Sequence, residues 1–192
     1  TLETKDQTAA LVTPEASLGR RVSAILERWG IDAPPSEGVR LHRTRVASFV
    51  LLLIRWALDP AEPVQLLSVL KHPCANLGEE PDRLRVLASQ LELAALRGAR
   101  LDADLDQLAT RLERLKKAEA ALLVRKLDGL HAPFSRVFAS EKIDGKAAAE
   151  AASRLAESIG PGEQIWSGRQ GEIAVRFVDE VAELETVMGP ME

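Results

Sequence analysis

The chain has 192 residues, 46% of them hydrophobic, with a formal net charge of −4, three histidines and a single cysteine. This content is enough to bury a core in one domain or two small ones, and the acidic balance excludes a globally basic nucleic-acid module while leaving room for a local basic face. The lone Cys74 excludes an intrachain disulfide framework and any multi-cysteine metal cluster made by this chain alone, and a reducing, cytoplasmic setting fits that usage.

In chain order, residues 8–30 (TAALVTPEASLGRRVSAILERWG) open the chain as a short buried strand, a turn and an amphipathic helix. Ala9 to Val12 supply the strand, Thr13 and Pro14 the helix start. Leu18, Val22, Ile25, Leu26 and Trp29 make the apolar stripe, and Gly30 ends the helix. Pro34 to Gly38 form a loop, and Val39 to Leu41 read as a second short strand returning beside Leu11. This reads as a strand–helix–strand unit that either pairs its first strand with that short second one or is a piece of something larger.

Thr44 caps a helix over 45–58 with Phe49, Leu52, Leu53 and Trp56 on its main face. This longest apolar run is interrupted by Ser48 and Arg55 and is too short to span a membrane. Pro60 and Pro63 punctuate, a short helix carries Val64, Leu66, Leu67 and Leu70, and Pro73 closes it. Residues 82–97 are helical with Leu84, Leu87 and Leu91 inward, and Gly98 breaks the run. The longest helix is expected from Asp102 or Asp104 as far as Leu127, with Leu101, Leu105, Leu108, Leu112, Leu115 and Leu122 as its stripe. The stripe covers about two clean heptads, which favours an intramolecular helical hairpin over a coiled coil. Residues 130–138, with His131 and Pro133, read as a turn plus a short helix. Asp144 caps an alanine-rich helix that Gly160-Pro161-Gly162 closes, and a last helix over 172–187 is expected to bury Ile173, Phe177, Val181 and Leu184, with Trp166 plugging the packed helices. The fold expected is mostly α with a small α/β portion, residues 1–43 being the partial α/β segment and 44–192 a helical, bundle-like domain.

Few residue sets carry chemistry. The chain has no GxxxxGK[ST] loop and no GxGxxG motif, so it offers no phosphate cradle of its own. His42, His72 and His131 are too scattered to hold a metal, and no metal or cofactor is expected. Cys74 is a candidate nucleophile beside His72, but Pro73 separates them and no third group orients the base, so a small buried hydrophobe is the better reading. Asp102, Asp104 and Asp106 lack the glycine and terminal glutamate of a calcium loop and read as a helix start and a solvated face. The physical candidates are basic. Arg40, His42, Arg43 and Arg45 cluster within six residues, and Lys71-His72 lies one helix later. Brought together, Arg40, Arg43, Arg45, Lys71 and His72 make a surface for DNA phosphates; apart, they are an ordinary charged rim. Lys116-Lys117 and Arg125-Lys126 are a second, more acid-shielded candidate.

The segment TAALVTPEASLGRRVSAILERWGI resembles the start of the second RecA-like domain of UvrD-type helicases, and RVASFVLLLIRWALDPAEPVQLLSVLKHPCANLG resembles the stretch leading into their inserted helical domain. With GEIAVRFVDEVAELETVMGP near the end, nearly the whole chain is similar to the B subunit of AddAB-type helicase–nucleases in its alphaproteobacterial form. The resemblance implies a UvrD-like 2A/2B arrangement, a cytoplasmic role in DNA repair and recombination, and membership of a RecBCD-like exonuclease complex. In active relatives an arginine that reaches the ATP phosphates stands where this chain has Thr13, so that catalytic part is lost. Lys71-His72-Pro73 matches an Asn-x-Pro stretch near the DNA path. The implied function is a non-catalytic fragment that supports or guides DNA, as a single strand or duplex end, and contacts the partner helicase–nuclease subunit. Two other readings stand beside it: a helical protein-interaction or structural module without DNA contact, and a small enzyme using Cys74 or a carboxylate.

Overall fold

A computed structural model describes residues 9–31, 33, 40–98, 102–138 and 144–188. Among them the regular structure is helical throughout, with eight α-helices and no strand. The chain divides into two compact units, Thr1–Arg40 and Leu41–Glu192.

In the first unit, α1 (Ala16–Arg28) forms as its stripe requires, but none of its residues is buried. Its end is a Schellman motif: Gly30 at φ 73° donates to the Glu27 carbonyl and Ile31 to that of Leu26. Its start differs from expectation. Thr13 accepts the Glu15 N–H at 3.1 Å, one turn before the helix, and Glu15 makes no side-chain cap. The expected buried strand at 9–12 is overturned. These residues form no strand, and Leu11 and Val12 are exposed, Val12 at 93%. An apolar run of four with no neighbouring strand to bond has nothing to make it a sheet. The proposed returning strand fares no better: Leu41 lies in a 3-10 turn (Leu41–Arg43), while Val39 and the 34–38 loop lie outside the described residues. Among the described residues, the α/β portion of the expected fold is replaced by helix and irregular chain.

The second unit is a helical bundle. Helix α2 (Arg45–Leu58) begins at Thr44, whose hydroxyl accepts from the Ala47 N–H (3.3 Å) and donates to the Leu41 carbonyl (2.7 Å). It is the central helix, burying Phe49, Leu53 and Trp56 completely. Helix α3 (Pro63–Leu70) starts at a proline, where no N–H is needed, under the Glu62 carboxylate cap. Helix α4 (Pro81–Leu91) buries Leu84, Leu87 and Leu91, then widens into a π-turn over Glu92–Leu96 that turns Leu93 outward and Ala95 and Leu96 inward.

The long helix expected from Asp104 to Leu127 is two. Helix α5 (Leu105–Arg114), capped by Asp104, ends in a second Schellman motif in which Lys116 takes φ 57°, and α6 (Ala118–Phe138) starts two residues later. The pair is an intramolecular helical hairpin. Leu105, Leu108 and Leu112 are buried, but Leu115 and Leu122 (69%) face solvent, because the chain reverses between them. Leu101 lies outside the described residues. Helix α6 also continues through Pro133, where the sequence predicts a turn plus a short helix. The bond that Pro133 cannot donate would have gone to Gly129, an exposed position.

Helix α7 (Gly145–Ile159) carries the Asp144 cap, donated to by the Lys146 and Ala147 N–H groups, and packs between α6 and α8 (Gly168–Met188). Trp166 is partly buried against the core and donates to the Glu157 carboxylate at 2.6 Å. The last helix is rotated from expectation: Gly171 and Ala174 face the bundle, while Ile173 (44%) and Phe177 (52%) face out. The cause is close approach, since a Cβ on Gly171 would collide with the Trp166 backbone. The side chains of Val181 and Leu184 lie outside the described residues. No helix among the described residues is long and apolar enough to cross a membrane.

Candidate functional site

The start of α2 and the loop after α3 bring together the most chemically diverse side chains of the second unit. Residues 24 positions apart meet here. The His72 ring stacks on Phe49 with centroids 4.8 Å apart and planes at 21°, and its Nε2 lies 3.5 Å from the Ser48 hydroxyl. Its Nδ1 accepts the Cys74 backbone N–H at 3.2 Å. The Cys74 thiol points at the Arg45 carbonyl 4.0 Å away, and the Ser48 hydroxyl donates to that same carbonyl at 2.9 Å. The Arg45 N–H in turn donates to the Gln170 side chain of α8 at 3.2 Å.

These bonds decide what the cluster can do. A lone pair on Nδ1 is committed to the Cys74 N–H, which puts the ring proton on Nε2, facing Ser48. In that tautomer His72 takes a proton from neither the serine nor the thiol. Burial, and next the Arg45 charge, lower the His72 pKa, while burial raises that of Cys74 against a smaller opposing pull from Arg45. A nucleophilic thiol needs the reverse. The cluster is a latch between α2 and the loop after α3, and the enzyme reading built on Cys74 is not supported by its geometry.

The basic candidates separate into three groups. Arg40 is exposed and belongs to the first unit, as does Thr13, the position of the lost arginine in the resemblance. Arg43 and Arg45 are exposed on the second unit at the head of α2, and neither makes an ion pair among the described residues. Lys71 and His72 are used by the fold. Lys71 pairs with Glu92 at 2.6 Å, tying the end of α3 to the π-turn, and this bond and charge hold the Glu92 carboxyl below its usual range. The structure does bring Arg45 beside His72, through Ser48 and Cys74.

Half of the second basic candidate is also engaged, while Lys116 and Lys117 stay exposed. Arg125 pairs with Asp106 at 2.7 Å and Glu113 at 2.9 Å, and Lys126 donates to the Leu77 carbonyl at 2.5 Å. Asp102, read as part of a solvated face, is instead buried and paired with Arg111. No group of three or more metal-ligating side chains gathers among the described residues. Sequence reasoning missed Ser48 and Gln170, which no local motif marks, and the outward stripe of α8. The small residues Gly171 and Ala174 at i, i+3 were the available signal for that stripe.

No family model, curated protein or solved structure matches the chain. The labels drawn from the resemblance are corrected: nothing in the fold or in the comparisons ties the chain to DNA repair and recombination, helicase-like or UvrD-like architecture, AddAB and RecBCD kinship, or an exonuclease complex. The described residues form a helical bundle and no sheet, and a helical bundle is what the chain supports.

Proposed function

We propose that this chain is a non-catalytic helical module that acts by holding a protein partner. One observation carries this reading. Helix α1 has its apolar residues on one face, and not one of them is buried. Leu18, Val22, Ile25 and Trp29 recur at i, i+4, i+7 and i+11, the spacing by which an amphipathic helix seats in a groove. Fully burying such anchors contributes about 1.5–3 kcal/mol each, which is ample for a specific contact. The test places a photocrosslinking amino acid at Ile25 of the full chain, expressed in its own cells, with exposed Ser158 on α7 as control. Discrete adducts from position 25, identified by mass spectrometry, and none from 158 support the reading. Uncrosslinked chain at both positions overturns it.

A second reading, contact with DNA phosphates, is favoured by Arg43 and Arg45 at the head of α2, exposed and without an ion pair among the described residues. Binding to single-stranded and forked DNA, titrated with salt, tests it. Charge reversal at Arg43 should lower the salt slope by roughly one ion, and no binding at low salt removes the reading.

A further inference from the structure

Residues 71–77 leave α3 held at both ends. At the first, Lys71 pairs with Glu92 of the π-turn at 2.6 Å. At the last, the Asn76 and Leu77 N–H groups share the Ile159 carbonyl at the end of α7. Between these anchors the segment leans on α2 through two side chains: the His72 ring on Phe49 and the Cys74 thiol towards the Arg45 carbonyl. The anchors keep their charge state in mild acid. One is made of backbone amides, and Lys71 holds the Glu92 carboxyl below its usual range, so it stays ionised. The group between them whose charge changes on the acid side of neutrality is His72.

The ring does here what an asparagine does in an Asx-turn. Its Nδ1 accepts the N–H two residues on, that of Cys74, at 3.2 Å. Asn76 makes the same bond with its Oδ1 to the Gly78 N–H, at 3.0 Å. An imidazolium cannot make it, because both of its nitrogens are donors. A proton on Nδ1 therefore sets one N–H against another. The surroundings offer the new charge no relief. From α2, Arg45 repels it. On the segment itself, Lys71 is turned to Glu92 and the Cys74 thiol is held neutral by burial. The end of α7 presents Gly160 beside the Cys74 carbonyl, and the start of α8 presents the uncharged Gln170 at the Arg45 N–H. No carboxylate pairs with the ring among the described residues.

We infer that residues 72–74 are an acid-operated clasp: protonation of His72 releases the Cys74 end of the turn from the head of α2 while both anchors and the bundle stay closed. The release is a local opening, distinct from unfolding of the whole unit. Its natural reporter is the half-buried thiol of Cys74, which loses the cover of the turn when the clasp opens.

The test follows that thiol in the full chain between pH 7.5 and 5. The probe is 4,4′-dithiodipyridine, a neutral disulfide that reacts with thiols in mild acid, and glutathione at each pH supplies the intrinsic reactivity. The rate of Cys74 relative to glutathione should rise as the His72 ring protons titrate by NMR, by at most about tenfold per pH unit, the limit for an opening linked to one proton. The far-ultraviolet circular dichroism should not change. His72→Asn keeps an acceptor for the Cys74 N–H and cannot titrate, so its relative rate should stay flat. Ser48→Ala removes a neighbour of the ring that carries no charge and should keep the rise. A flat wild-type rate overturns the clasp, as does a rise that persists in His72→Asn. Loss of helical signal in step with the rate also overturns it, since the opening would then be general unfolding.

Discussion

Arg111 holds Asp102 with two nitrogens, Nε at 3.0 Å and Nη2 at 2.5 Å from the same carboxylate oxygen, and the same Nη2 donates to the Ala95 carbonyl at 2.7 Å. Asp102 is buried and Arg111 largely so. The pair thus ties the segment before α5 to the π-turn after α4. Breaking such a pair from one side removes the forked partner of a buried charge, a cost of about 3 kcal/mol. Arg111→Ala should therefore lower the urea midpoint of the second unit by that equivalent. Arg111→Lys should recover only part of it, since a lysine lacks the fork that reaches both Asp102 and Ala95. Equilibrium unfolding by circular dichroism measures both; full stability in Arg111→Ala would remove the clamp from the account.

Two glycines should resist substitution for lack of space. A Cβ on Gly160 would meet the Ala156 carbonyl oxygen at 2.7 Å and Ile165 Cδ1 at 3.0 Å, and one on Gly171 would meet the Trp166 backbone. In both cases backbone must move. Gly160→Ala and Gly171→Ala should each cost roughly 2 kcal/mol or more. Gly129→Ala, in an open helical position, should gain up to about 1 kcal/mol. Thermal melts of the three variants give the ranking.

Lys116 sits at φ 57° in the turn that ends α5, a conformation that costs a non-glycine residue about 1 kcal/mol. Lys116→Gly should stabilise the chain by up to that amount, against the usual penalty for added glycine. Ser158→Gly, inside α7, should destabilise by a similar amount. Opposite signs in paired melts are the expected result.

The latch at His72 sets a pH dependence. Its pKa lies below the ordinary 6.5, so the folded chain resists a proton that the unfolded chain accepts. This contribution is complete above pH 6.5 and stability falls as pH drops through that value towards the lowered one. Protonation would also turn Nδ1 into a donor facing the Cys74 N–H. Cys74 works at the other end: its pKa is raised above 9.0, so stability falls as pH climbs past 9. His72→Gln should flatten the acid limb and Cys74→Ser the alkaline one, read from unfolding midpoints between pH 5 and 10.

Several helix ends were legible because they carry local punctuation. Thr44 and Asp144 cap where they were expected to, and Gly30 closes α1, since a hydroxyl, a carboxylate or a missing Cβ marks those positions locally. The break between α5 and α6 carries no such mark. Leu115, Lys116 and Lys117 are good helix formers, and only the hairpin packing imposes the reversal. Pro133 misled in the other direction, being a breaker that an exposed carbonyl tolerates. The four-residue run at 9–12 had the composition of a strand but no partner to make it one. On α8 the large residues were assigned inward by their size, whereas the tight approach to Trp166 admits only glycine and alanine. The latch was illegible because Ser48, His72 and Cys74 become neighbours only when α2 and α3 fold back on each other.

The carbonyl of Ile159, at the end of α7, accepts the N–H groups of both Asn76 and Leu77 at 2.9 Å. Most helices here touch near neighbours in the chain and can zip up quickly, yet this one oxygen joins positions more than eighty residues apart. Closing it requires most of the bundle to be already in place. The amides of Asn76 and Leu77 are accordingly natural reporters of the moment at which the early and late halves of the bundle commit to one another.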